Sequence, residues 1–226
     1  MKNAVMCMVI ATTSLVAAPT FADGLVAETR IQTSYPTDSS YDYVSERNAL
    51  TGFDLAAGWE FSRLAGLRTL LVLQSTGQAD TLFQGAAEVQ WARQRVLGVL
   101  DWGVEVWPWL RPFARLGLGY AHQFAALEID GPRLSDHAHD LAGLGSAGLE
   151  FRLPLPFGSV GASSQLGYAL QTPATFDEMR HDDDAFEAEY QDVEGGDPWT
   201  RVESTVGTLN TNAVFWDIGL TVSVDF

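Results

Sequence analysis

Between Ala213 and Phe226, bulky apolar residues alternate one for one with small or polar ones. Val214, Trp216, Ile218, Leu220, Val222, Val224 and Phe226 fall on one face; Ala213, Phe215, Asp217, Gly219, Thr221, Ser223 and Asp225 fall on the other. Successive side chains of a strand point to opposite faces, so this period of two predicts a β-strand, longer than the usual five or six residues. The same register recurs upstream. Phe53, Leu55, Ala57, Trp59 and Phe61 alternate with Gly52, Asp54, Ala56, Gly58 and Glu60; Val96, Leu100, Trp102, Val104 and Val106 alternate with Asp101, Gly103 and Glu105. Ala114, Leu116, Leu118 and Tyr120 alternate with Arg115, Gly117 and Gly119, and Gly143, Gly145, Ala147, Leu149, Phe151 and Leu153 with Ser146, Gly148, Glu150 and Arg152. The segment Val160 to Gln171 follows the same rule. Two less regular segments, Leu25 to Ser34 and Leu67 to Gly77, bring the count to eight strands.

The connections carry a second pattern. Arg63 to Gly66, Pro108 to Arg111 and Leu155 to Gly158 read as tight turns marked by Pro or Gly. The others, about Tyr35 to Asn48, Gln78 to Gln94, Asp130 to Asp140 and Thr172 to Asn212, read as long and polar. Strict alternation of short and long connections is what an up-and-down barrel in an outer membrane requires, with short periplasmic turns and longer extracellular loops. The expected fold is therefore all-β: an eight-stranded antiparallel up-and-down transmembrane β-barrel with both termini on the periplasmic side. A soluble lipocalin-like barrel is the alternative, and it predicts an apolar interior and a polar exterior.

Composition agrees with a membrane barrel and excludes other classes. Mean hydropathy is close to neutral, as it must be when lipid-facing and lumen-facing residues alternate. No segment after the N-terminus has 18 consecutive apolar residues, which excludes helical spans. At the N-terminus, Lys2 precedes the apolar run Ala4 to Ala11 and small residues at Thr20 and Ala22. This predicts a cleavable secretory signal peptide over residues 1–22 and a barrel domain over 23–226. Cys7, the only cysteine, lies within that segment, so the barrel itself needs no disulfide. Lys2 is also the only lysine; without it, 12 arginines face 29 carboxylates, a net charge of −17 against −16 for the whole chain. A strongly acidic chain without a basic patch repels phosphate backbones, which excludes nucleic acid as a partner.

Together the N-terminal segment, the stretch V-L-G-V-L-D-W-G-V-E-V-W-P-W-L-R-P-F-A-R-L-G-L-G-Y from Val96 to Tyr120, and I-G-L-T-V-S-V-D-F from Ile218 carry a resemblance. The chain resembles the small outer-membrane β-barrel proteins of Gram-negative bacteria, the OmpA-like, OmpX-like and OmpW-like group, over essentially all of residues 23–226. The resemblance implies an outer-membrane location and contact with outer-membrane lipid and lipopolysaccharide. It also implies an assembly signal for the barrel-assembly machinery, matched here by Leu220, Val222, Val224 and Phe226.

An eight-stranded barrel is just wide enough to be filled by side chains. The faces expected to point inward carry Asp54, Glu60, Asp101, Glu105, Glu150 and Asp217 with Arg115 and Arg152. Charges removed from water must be paired and hydrogen-bonded, so these eight should form a network across a mostly filled polar lumen. Carboxylates exceed arginines in this set, which requires some to be hydrated, near a mouth, or protonated. Trp59, Phe61, Trp107, Trp109, Phe151 and Phe157 mark an aromatic girdle at the turn end, with Arg63, Arg68 and Arg111 near the same rim. Inward glycines (Gly117, Gly119, Gly148, Gly161, Gly167, Gly219) leave room for the alternative function, a narrow channel or binding pocket for a small solute, whether hydrophobic or not.

Two further groups have chemical character. The connection of about 172–212 carries Asp177, Glu178, Asp182, Asp183, Asp184, Glu187, Glu189, Asp192, Glu194, Asp197 and Glu203 against Arg180 and Arg201. Its carboxylates suit Ca²⁺ or Mg²⁺, but their spacing specifies no site, and a solvated negative loop is the plainer reading. His122, His137 and His139 with Ser135, Asp136 and Asp140, and His181 beside Asp182, are the candidates for a lipid-modifying enzyme. Nucleophilic catalysis needs a base within reach of the nucleophile and a third group to orient it, which one polar loop does not supply. The histidine-x-serine arrangement of barrel lipid deacylases is also absent. His137 and His139, spaced by one residue, are expected on opposite sides of an extended chain, which argues against a metal site. The sequence thus points to a non-enzymatic barrel without cofactor or metal, presenting acidic extracellular loops for envelope-structural or surface-interaction roles toward an extracellular ligand of unknown identity.

Overall fold

A computed structural model describes residues 24–37, 49–61, 66–82, 87–129, 133–175 and 208–226. The expected signal segment, the turn residue Arg63, the acidic run 176–207 and His181 lie outside these residues. The described strands are β1 (Gly24–Pro36), β2 (Leu50–Phe61), β3 (Leu67–Leu82), β4 (Ala87–Gly103), β5 (Leu110–Ile129), β6 (Arg133–Leu155), β7 (Gly158–Gln171), the two-residue β8 (Ala174–Thr175) and β9 (Thr208–Leu209), and β10 (Ala213–Asp225). Strands β1 to β7 pair antiparallel with their chain neighbours, and β10 closes the cylinder between β7 and β1. Closure runs from Gly24↔Asp225 to Pro36↔Ala213, so neither β1 nor β10 keeps a free edge along this length. The result is a closed eight-stranded antiparallel barrel, the expected fold class.

Its polarity is the reverse of a soluble barrel's. Along β10, Val214, Trp216, Ile218, Leu220, Val222 and Val224 all face outward, 38% to 59% exposed, while Phe215, Asp217 and Thr221 are at most 2% exposed. On β5, Leu116 and Leu118 face outward with 71% and 78% of their surface exposed, while Phe113 and Arg115 between the same strands are buried. The lipocalin-like alternative, with its apolar interior, is thereby overturned.

The strand ends depart from expectation on both sides. At the turn end, β4 stops at Gly103, and Val104 and Val106 belong to the connection to β5, donating backbone bonds to Pro112 and Leu110. Trp107 stacks on Trp109 at 5.3 Å, and Trp109 on Phe151 at 6.0 Å, exposed together with Phe157. At the opposite end, two of the expected long connections are mostly strand. β3 and β4 stay paired to Leu82↔Ala87, and β5 and β6 to Glu128↔Arg133. The connections contract to 83–86 and 130–132.

Polarity hid these extensions. Leu73, Val96, Tyr120 and Leu141 face outward and are in register across four strands. The next outward row is Ser75, Gln94, His122 and His139, again in register. Beyond it the rule inverts: Val89, Trp91, Ala125 and Ala138 are buried while Glu88, Gln90 and Glu128 face out. The β8–β9 pair adds buried Ala174 and Leu209 at this end.

Candidate functional site

The inward side chains at the turn end form a connected chain of ion pairs. Arg30 on β1 bridges Asp217 on β10 at 3.0 Å and Glu28 at 2.8 Å. Glu28 also takes Arg115 at 2.8 Å, and Arg115 reaches Asp101 at 2.7 Å. Asp101 accepts from Arg111, which reaches Glu150 at 3.2 Å; Glu150 meets Arg68 at 3.0 Å, and Arg68 meets Glu60 at 2.8 Å. Arg152 continues from Glu60 and Glu150 to Glu105, 3.0 Å away. Each residue arrives by register. Arg68 lies opposite Glu60 on β2 and Asp101 on β4, and Asp101 opposite Arg115 on β5, so the inward position of one strand pairs with the inward position of the next.

Of the eight residues expected here, Glu60, Asp101, Arg115, Glu150, Arg152 and Asp217 lie in this chain on strands, and nine of its ion pairs join different strands. Glu105 joins it from the turn after β4, exposed rather than on a strand, because the strand ends two residues before it. Asp54 is buried outside this chain of ion pairs and lines a cavity of about 20 Å³ with Glu28, Arg30, Arg115 and Gln165. That space suits one water, and the Oδ1 of Asp54 lacks a protein partner.

Four members were missed: Glu28, Arg30, Arg68 and Arg111. Arg68 and Arg111, expected at the rim, are buried inside it at 0% and 1% exposure. Their addition narrows the expected excess of carboxylates to one: five arginines meet six carboxylates in the chain. Phe113 sits among three guanidiniums, with Arg115 at 4.7 Å and Arg30 and Arg111 at 5.8 Å from its ring centre. The room above the inward glycines is taken. A Cβ on Gly148 would stand 2.8 Å from the Phe113 ring, and one on Gly219 2.5 Å from the Arg30 stem.

Toward the outer end the lumen is held by amides. Arg95 donates to Gln74 at 3.1 Å and Gln171 at 2.8 Å; Gln171 and Gln123 both donate to Asp140, and the Trp91 indole donates to Gln123. Gln74 in turn donates to Gln32. Between the two polar layers an apolar cluster of Val26, Ala56, Leu70, Val72, Leu97, Val99, Ala121 and Ala142 lines the wall, with Leu144 against it.

The histidines are outside. Residues 135–140 lie in β6, not in a loop. Asp136 and Asp140 are buried on the inner side while Ser135, His137 and His139 face out, which separates carboxylates from imidazoles and serine across the sheet. The expectation that His137 and His139 point apart is overturned: residues two apart on a strand share a face. They meet His122 of β5, with the ring of His122 4.8 Å from that of His139 and 5.2 Å from that of His137.

The fold and its lumen define a class of closed eight-stranded barrels with apolar walls and charge-filled interiors. No family model matches the chain, and no curated protein sequence matches it. Among solved structures it is similar to Ail, the attachment invasion locus protein of Yersinia pestis, at 14% identity and a TM-score of 0.48, over 89% of this chain and 98% of that one. The same protein in complex with the heparin analogue sucrose octasulfate gives 13% identity and a TM-score of 0.47 over 89% and 98%. Neisserial surface protein A gives 10% and 0.48 over 90% of this chain and 96% of that one.

Proposed function

We propose that this chain is an outer-membrane barrel of a Gram-negative bacterium, of the OmpA-like, OmpX-like and OmpW-like kind, with both termini periplasmic and a mostly filled polar lumen. In this reading its acidic outer loops serve envelope-structural or surface-interaction roles without catalysis or cofactor. The observation that carries it is the inside-out wall: Leu116, Leu118, Ile218 and Leu220 are more than half exposed around a lumen crossed by the Asp217-to-Glu105 ion-pair chain. Exposed leucines in a continuous belt are stable in lipid and unstable in water. Outer-membrane lipid and lipopolysaccharide are then its immediate partners. The outward row Leu220, Val222, Val224 and Phe226 is offered to the barrel-assembly machinery.

The test is reconstitution of the full chain. It should float with lipid vesicles on a density gradient and give no sustained large conductance in planar bilayers. Failure to float sinks the membrane reading. Sustained large open states sink the filled lumen and favour a channel.

A further inference from the structure

The three outward histidines belong to no part of the reading above, yet they are the densest group of metal-type ligands on the outer wall among the described residues. His122 and His139 are direct cross-strand partners, with their Nδ1 atoms 3.2 Å apart. The Nε2 of His122 lies 3.3 Å from Nδ1 of His137. Aromatic neighbours bracket the row: Tyr120 is hydrogen-bonded to His139, and the Phe124 ring lies 5.0 Å from that of His137.

We propose that His122 and His139, with His137 beside them, bind a borderline transition-metal ion such as Zn²⁺, Cu²⁺ or Ni²⁺ on the outer wall of the barrel. Imidazole nitrogens bind such ions at about 2.0–2.1 Å in tetrahedral array, which sets neighbouring ligand nitrogens about 3.3 Å apart. The separations across the row match that edge. Among the described residues no three His, Cys, Asp or Glu side chains are placed to hold one ion together, so the site is a two-histidine chelate. The Nδ1 atoms of His122 and His139 face each other, the latter also meeting the Tyr120 hydroxyl, which an ion would displace; water fills the remaining positions.

The surroundings select the class of ion. Outward neighbours are Gln94 and Ala92 on β4 and Ser135 and Leu141 on β6; Asp136 and Asp140 turn to the inner side. The outward carboxylates on these strands, Glu88 and Glu128, pair opposite each other three rungs farther out. A face with nitrogen ligands and no carboxylate disfavours Ca²⁺ and Mg²⁺, which need oxygen, and suits imidazole-binding metals. The row sits immediately beyond the apolar belt, where an ion is reached from water.

The experiment uses the full chain in detergent micelles without a polyhistidine tag. Zn²⁺ is titrated calorimetrically in excess Mg²⁺, which occupies oxygen sites such as the acidic 176–207 run, and Cu²⁺ is read by electron paramagnetic resonance. The expected result is saturable Zn²⁺ binding and nitrogen coupling in the Cu²⁺ spectrum. His122→Ala or His139→Ala should weaken Zn²⁺ by at least the roughly 10–100-fold that loss of an outer-shell partner already costs. His137→Ala should have a smaller effect, and His181→Ala none. Circular dichroism checks that each variant keeps the barrel. Binding unchanged in the His122→Ala/His139→Ala double variant, absence of nitrogen coupling, or no Zn²⁺ binding in the presence of Mg²⁺ overturns the site.

Discussion

On β4 and β5 the side chains change character at the row Ser75, Gln94, His122 and His139. Toward the turn end, apolar side chains such as Val96 and Leu118 face out and Asp101 and Arg115 face in; toward the outer end, Trp91 and Ala125 are buried while Gln90 and Glu128 face out. The backbone ladder does not change where the side chains do, since β4 and β5 pair without interruption from Gly103↔Phe113 to Ala87↔Ile129. Two things normally confused in a β-protein are thus separated. Hydrogen bonding makes the strand, and the surrounding solvent decides which face is apolar. In lipid the apolar face must look outward, and in water it must look inward.

The strongest test of this contrast is inside the turn end. Arg68 is fully buried and meets Glu150, Glu60 and Glu28. Arg68→Ala takes one cation from Glu28, Glu60 and Glu150, which keep Arg30, Arg115, Arg111 and Arg152, so the loss should be about 3 kcal/mol, the low end for broken buried ion pairs. Urea unfolding of the barrel in lipid vesicles measures it. A loss under about 1 kcal/mol would mean that water reaches the lumen and solvates the stranded charges. Next in size is the wall. Leu118→Arg places a charge in the belt and should cost about 2–4 kcal/mol, the range for basic residues at the midplane of such barrels. The same change at Gln90, on the same face beyond the row, should stay within about 0.5 kcal/mol. Equal costs at the two positions would erase the boundary between the two rules.

This contrast also explains what was legible in the sequence. Period two with bulky residues on one side identifies strands only where the strand faces lipid, so the belt segments of β2, β5, β7 and β10 were readable. Residues 87–94 and 133–140 also alternate, but with Gln, Glu, His and Asp in place of leucines, and polarity made them look like loops. The lumen was half legible for a related reason. Asp101 stands out between Leu100 and Trp102, and Glu150 between Leu149 and Phe151. Glu28 and Arg30 alternate with Ala27, Thr29 and Ile31, a weaker contrast, and their role follows only from closure of β1 against β10. Arg68 and Arg111 sit next to the turns, where sequence gives no means of telling the inside of a rim from the outside; the register with Glu60 and Glu150 does. The histidine row depends on the pairing of β5 with β6 across a segment whose polarity resembles that of a loop.

The smallest expected effect gives the sharpest comparison. Trp91 is 3% exposed beyond the row, and its indole donates to Gln123 at 3.1 Å. Trp91→Phe keeps most of the apolar bulk and removes the donor, so it should cost about 1 kcal/mol, the net worth of one hydrogen bond plus part of the penalty for an unpaired Gln123. The location of the loss says more than its size. If the outer extension is a water-facing sheet with its own small core, the variant should speed hydrogen exchange of amides in residues 87–93 while those in 96–103 keep their protection. Uniform acceleration along β4 would mean that the extension and the belt open together as one unit. In that case the inversion of polarity marks only a change of solvent, with no division in stability.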